Sequence, residues 1–137
     1  MFTYEHQVQY YETDKMGVTH HSNYIRWMEE SRVGYLASIG LDYALLEQRG
    51  LVSPVIGLNN CKYKKPTTFG DTVKVEVYIK EYNGIRIIFG YTMKNKEDAV
   101  VFIGESEHCF LSPQGKMIIL KSVFPDLDEI LASKVGQ

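Results

Sequence analysis

Between Asp14 and Tyr24 the chain sets a carboxylate, a glycine three residues on, a histidine seven residues on, and then the start of a helix-type pattern. The first turn of a helix has backbone N–H groups with no partner inside the helix and carries the positive end of the helix dipole. Such donors stabilise the negative charge that grows on a carbonyl oxygen under attack. A carboxylate held opposite them can attack the carbonyl carbon or take a proton from water. One short loop could therefore polarise an acyl carbonyl and supply the group that attacks it. Spacing alone favours a plainer purpose, in which Asp14 and its polar neighbours satisfy the loop backbone and cap the helix.

The other titratable residues suggest less. Glu29 and Glu30 are adjacent on a helix and point about 100° apart, so they do not form a paired acid and base. Glu105 and Glu107 share one side of a strand and read as solvent-facing, with a pocket role as the alternative. Lys62, Lys64 and Lys65 make a local basic spot, as do Lys94 and Lys96, suited to solubility or to the phosphates of a nucleotide-like substrate. His20, His21 and Asp14 match no standard zinc spacing, so no metal is expected. There is no nucleophile elbow, reactive-cysteine context, GxGxxG or P-loop.

The elements that must position the loop follow from periodicity. Phe2, Tyr4, His6, Val8 and Tyr10 alternate with polar residues, as in a strand with one buried side. His6 lies on that side and reads as a satisfied structural residue. A polar loop, Glu12–Asn23, ends in Ser22 and Asn23 as candidate caps of a helix from Tyr24 to Ile39. Ile25, Met28, Leu36 and Ile39 keep helical spacing beside Trp27 and Tyr35, which predicts cover on several sides. A short helix is expected over Asp42–Gln48. Strands are expected over Val52–Tyr63, from Val73 to Lys80, from Ile85 to Met93, over Ala99–Leu111 and over Lys116–Leu120, with Asn83-Gly84 as a type I′ hairpin turn. Phe124–Ser133 reads as a closing helix. One long helix and one antiparallel sheet predict an α+β layer with the sheet wrapped around the helix.

With 137 residues, 45% hydrophobic and 23% charged, the chain fits one domain, residues 1–137, able to bury a core without disulfides. A formal net charge of −2 leaves no footprint for nucleic acid or an anionic membrane. The N-terminus has no signal-peptide pattern, no apolar run is long enough to span a membrane, and Cys61 and Cys109 share no metal-type spacing. The expected compartment is the cytoplasm.

Tyr11-Glu12-Thr13-Asp14-Lys15-Met16-Gly17-Val18-Thr19-His20-His21-Ser22-Asn23-Tyr24 resembles the signature of the hotdog-fold acyl-CoA thioesterases of the 4-hydroxybenzoyl-CoA thioesterase class. Tyr63-Lys64-Lys65-Pro66 followed by Gly70-Asp71, and Gly104-Glu105-Ser106-Glu107-His108, are similar to later family segments. The resemblance implies a hotdog fold and a homodimer or homotetramer with the active site at a subunit interface. It also implies hydrolysis of an acyl-CoA to free acid and CoA, without a cofactor beyond the CoA of the substrate. Asp14 would be the catalytic carboxylate, Gly17 the turn residue, the His21 backbone N–H the donor to the thioester carbonyl, and Tyr24 a pocket wall. A non-catalytic acyl-CoA-binding module and a hydroxyacyl-thioester dehydratase are the alternatives. Asp14 opposite an oxyanion donor fits hydrolysis better than either.

Overall fold

The computed structural model describes residues 1–137. Five strands form one antiparallel sheet: β1 (Phe2–Gln7), β2 (Val55–Tyr63), β3 (Thr72–Tyr82), β4 (Arg86–Lys94) and β5 (Val100–Cys109). Their spatial order is β1-β3-β4-β5-β2, so a three-strand meander gains β1 at one edge and β2 at the other. The long helix α1 (Ser22–Ser38) packs on one face of the sheet, and α2 (Tyr43–Gln48), α3 (Leu120–Val123) and α4 (Pro125–Lys134) complete the chain. This is the α+β hotdog that the resemblance implies.

Alternation builds the inner face of the sheet. Val73, Val75, Val77 and Ile79 of β3 are fully buried, as are Ile87, Phe89, Tyr91 and Met93 of β4 to within a few per cent. Against them α1 turns Tyr24, Trp27, Met28, Ser31, Arg32, Tyr35 and Leu36. These recur at intervals of three and four, which is a single helical stripe. The expected cover on several sides is not present in the single chain: Ile25 and Ile39 are half-buried, and Arg26, Glu29 and Ala37 are exposed. At α4, Pro125 occupies the first turn with Asp126 and Asp128, and Leu127 and Leu131 seal the core.

Three local expectations are corrected. Lys116–Leu120 forms no strand; one bridge pairs Leu111 with Met117, and the chain then turns into α3. Asn83-Gly84 is not a type I′ turn, because that turn needs positive φ at both residues and only Gly84 has it. Asn83 Oδ1 instead accepts the N–H groups of Ile85 and Arg86 and closes a longer loop. Ser22 and Asn23 lie inside α1, and the cap position falls to His21, which makes no side-chain cap bond.

Strand β2 breaks its alternation twice. Its register against β5 slips between Val55 and Gly57 and again between Asn59 and Lys62, where Asn60 adopts φ +54°. Asparagine is among the few residues that tolerate that region. Val55, Leu58 and Tyr63 therefore stand opposite His108, Ser106 and Phe102, which all face inward.

A buried polar chain crosses the core from Arg32 to the Tyr91 hydroxyl, Ser106 and His108. Burial and the nearby Arg32 charge push the His108 imidazole down to about 4. Its folded value lies below its unfolded value, so the unfolded chain binds the extra proton. Stability should then fall as pH drops from about 6.5 towards about 4, by up to roughly 3 kcal/mol. Urea midpoints at pH 7 and 4.5 check this: the wild type should lose more than His108→Gln, and equal losses would mean that the imidazole is already charged in the fold.

Candidate active site

The loop between β1 and α1 is held at both ends by one buried carboxylate. After β1 a single 3₁₀ turn, Tyr10–Glu12, carries Glu12 inward to 4% exposure. Its side chain accepts the Gln9 N–H at 2.8 Å and the Trp27 Nε1–H at 2.8 Å, and it meets His6 Nε2 at 2.7 Å. Its backbone oxygen accepts the His20 N–H at 2.8 Å and the Asn23 side-chain amide at 3.0 Å. Burial alone would raise the Glu12 pKa; the bonds from Gln9, His6 and Trp27 outweigh it and hold the carboxyl below its ordinary value. Strand end, loop end and helix start are thereby fixed to each other.

Within the loop, Asp14 to Val18 make a tight turn. Gly17 N–H donates to the Asp14 carbonyl at 2.9 Å, and Asp14 N–H donates to the Val18 carbonyl at 3.0 Å. Gly17 sits at φ +80°, and nothing lies within 4 Å of an added Cβ, so the backbone conformation and not space calls for glycine. Asp14 is half-buried; its Oδ1 accepts the Met16 N–H at 2.8 Å, while Oδ2 accepts no bond from the protein.

At the helix start, His21 has helical backbone angles. Its N–H donates to no backbone or side-chain acceptor. Ser22 and Asn23 are otherwise engaged: Ser22 Oγ meets His20 Nδ1 at 2.9 Å, and the Asn23 amide bridges the carbonyls of Glu12 and His20. The Tyr63 hydroxyl donates to the His21 carbonyl at 3.1 Å, which joins the end of β2 to the helix start.

Asp14, His21, Tyr24 and Tyr63 line one open groove of about 340 Å³ together with Lys64 and Lys65. Gly17 is not on its lining but shapes the turn beside it, where its carbonyl accepts the Thr68 hydroxyl at 2.6 Å. Tyr24 is a wall and not a free hydroxyl. Its ring stacks on Phe102 at 5.2 Å, its hydroxyl pairs with Thr67 Oγ1 at 2.9 Å, and burial raises its pKa against the pull of the Thr67 bonds. The residues lining the groove thus include a carboxylate with one unpartnered oxygen, a residue with an unbonded N–H at the start of a 17-residue helix, an aromatic wall and two lysines.

Glu105 and Glu107 stand away from this groove on the outer face, paired with Lys80 at 2.6 Å and Arg86 at 3.3 Å. Glu30 takes the Tyr4 hydroxyl, and Glu29 is exposed. The residue missed in sequence is Glu12. A signal for it exists: His6 on an apolar face and Trp27 on a buried helix stripe both need polar partners, and Glu12 beside Asp14 is the carboxylate that can meet both.

Comparison with known proteins yields consistent matches. The sequence profile of the thioesterase-like superfamily matches residues 8–132. A Bacillus subtilis (strain 168) protein with the provisional name acyl-CoA thioesterase YneP is 37% identical over 123 residues, which is 89% of this chain and 88% of that protein. The DHNA-CoA thioesterase of Staphylococcus aureus superimposes with a TM-score of 0.91 at 34% identity, covering 96% of this chain and 88% of that one. A hypothetical protein of Aquifex aeolicus superimposes with a TM-score of 0.87, also at 34% identity, covering 96% and 99%. No helix of the structure is long and apolar enough to cross a membrane.

Proposed function

Because the chain belongs to the thioesterase-like superfamily, we propose that it hydrolyses acyl-CoA thioesters to the free acid and CoA, with Asp14 as the reacting carboxylate. The observation that carries this reading is that Asp14, whose Oδ2 accepts no bond, and His21, whose N–H donates none, line the same groove. The thioester oxygen takes the His21 N–H, which stabilises the charge developing on it. Asp14 then acts in one of two ways. It attacks the carbonyl carbon and expels the CoA thiolate, leaving a mixed anhydride that water cleaves, or it removes a proton from the attacking water. Lys64 and Lys65 on the rim offer cations to the phosphates of CoA. The aromatic wall of Tyr24 and Tyr63 accepts either an aromatic or an aliphatic acyl group. This reaction uses CoA only as part of the substrate.

A panel of aromatic and aliphatic acyl-CoAs, followed by release of free thiol, tests the proposal. Thiol release from at least one class is expected. Water loss from a 3-hydroxyacyl-CoA without thiol release would make the protein a dehydratase, and saturable binding with neither reaction would make it a binding module.

His21 tests the donor. Alanine keeps the backbone N–H, so His21→Ala should lose far less than the roughly 100- to 1,000-fold that removal of an oxyanion donor costs. Steady-state kinetics decide it, and inactivity equal to that of an Asp14 variant would move the work to the imidazole.

The same reading includes a dimer. Strand β2 pairs only with β5, so its outer edge is free, and Val55, Ile56 and Leu58 on it are nearly half exposed. Free apolar edges favour pairing with another strand, and symmetric pairing is the commonest form. A partner on this edge would close the groove beside Tyr63 and keep bulk water out of the reaction. Sedimentation equilibrium at micromolar concentration should give an even multiple of 15.8 kDa, as a homodimer or homotetramer. A fully active monomer would contradict a shared site.

A further inference from the structure

Midway along α1 the fold buries a cation that has no counter-ion. Arg32 is 5% exposed, and none of the ion pairs of the protein includes it. Its Nη1 donates to the Tyr91 hydroxyl at 3.1 Å and its Nε to the Tyr43 hydroxyl at 3.4 Å, both uncharged partners. Nη2 donates to no group of the protein. No buried side-chain nitrogen or oxygen without a partner is sealed off, so Nη2 keeps some open surface.

The space beside it is a cavity of about 40 Å³ that Arg32 lines with Leu36, Tyr43, Leu46, Leu51 and His108, among other mostly apolar residues. A water needs roughly 10–15 Å³ of such space, so the cavity accommodates a few heavy atoms. Tyr43, Leu46 and Leu51 also line a surface groove. The same side chains therefore border both the cavity and the surface groove, and two of them, Tyr43 and Leu46, belong to α2, a six-residue helix with no buried residue.

A buried guanidinium without a counter-ion is costly, and what relieves it is an anion that accepts its remaining N–H groups. The apolar walls demand that the rest of that anion be hydrocarbon. A halide would leave those walls unfilled, and phosphate would set four oxygens against a lining of which eleven of fourteen residues are hydrophobic. We propose that this cavity binds a small aliphatic monocarboxylate, with its oxygens on Arg32 and Tyr43 and its alkyl end among Leu36, Leu46 and Leu51. Ten residues of helix separate Ser22 from Arg32, about 15 Å, so the site is distinct from the Asp14 groove.

The test uses the full-length protein at pH 7 and [1-¹³C]propionate, with chloride at matched ionic strength as the control. The expected result is a saturable shift or broadening of the carboxyl resonance, a rise of several degrees in Tm at saturation, and no displacement by chloride. Arg32→Met should lose the saturable signal. Leu46→Phe fills the cavity from its half-exposed wall without touching the guanidinium, so it reads the site even if Arg32→Met does not fold; it should weaken binding at least tenfold. Asp14→Asn should bind propionate as the wild type does, which keeps this test independent of hydrolysis. The proposal is overturned by absence of a saturable signal in the wild type, by equal displacement with chloride, or by binding lost in Asp14→Asn and kept in Leu46→Phe.

Discussion

Replacing Asp14 with asparagine should slow thioester hydrolysis by about 100- to 10,000-fold and leave the fold intact. Asparagine has the same shape, and its side-chain oxygen still accepts the Met16 N–H that Oδ1 now accepts at 2.8 Å. The turn to Gly17 therefore persists. What changes is the other oxygen: the partnerless Oδ2 becomes an amide NH₂, which neither attacks a carbonyl nor accepts a proton from water. Thiol-release kinetics at saturating acyl-CoA read the loss, and a thermal melt reads the fold. A folded variant that keeps more than roughly a tenth of the rate lies outside the range for a lost general base and would remove Asp14 from the chemistry.

Glu12→Ala should be the most damaging change to stability at the site, about 3–5 kcal/mol. The carboxylate is the common acceptor for the Gln9 N–H, the Trp27 indole and the His6 imidazole. Alanine leaves these donors facing a void, with Trp27 fully buried, and each unsatisfied buried group costs about 1–3 kcal/mol. Glu12→Gln keeps an acceptor for the indole and should lose much less. The sign of the pH dependence follows from the lowered carboxyl pKa. The contribution of Glu12 is fully present above the ordinary value of 4.5 and is lost as pH falls through the lower folded value. The gap between wild type and Glu12→Ala in urea midpoint should therefore be widest near neutrality and shrink in acid. A gap that stays constant down to pH 3 would show that lost packing, not the charge, is the cause.

Much of this was legible before the fold was known. Period two in β3 is strict because every second residue faces the core, and Val73 to Ile79 obey it without exception. The Asp14 loop was legible as a constellation because its chemistry depends on local order: a carboxylate, a glycine with positive φ and a helix start. What escaped depends on distant partners. Glu12 looks like one more loop acid until Trp27 and His6 are brought to it. Arg32 carries no signal in the sequence, and only the fold brings Tyr43 and Tyr91 to it. The type I′ expectation failed because Asn83 uses its side-chain oxygen to cap two backbone N–H groups, an alternative open to asparagine in either turn. The last strand failed because propensity in Lys116–Leu120 lacked a neighbour beyond a single bridge.

The two slips in β2 place Val55, Leu58 and Tyr63 on one face, although their intervals of three and five residues would put neighbours on opposite faces of a regular strand. Each extra residue works like an inserted letter in a reading frame: all positions beyond it change side. The first half of the strand shows its apolar residues at the free edge, while the last residue turns its hydroxyl to the helix start. Val55 and Tyr63, eight residues apart, would share a face even in a regular strand; it is Leu58 between them that the two insertions bring round to join them. Removing Asn60 alone would turn either Val55 and Leu58 or Tyr63 to the outer surface, whichever end of the strand yielded. The number of residues between Ser53 and Lys64 is therefore more tightly constrained than most of their identities, the reverse of what holds for an ordinary surface connection.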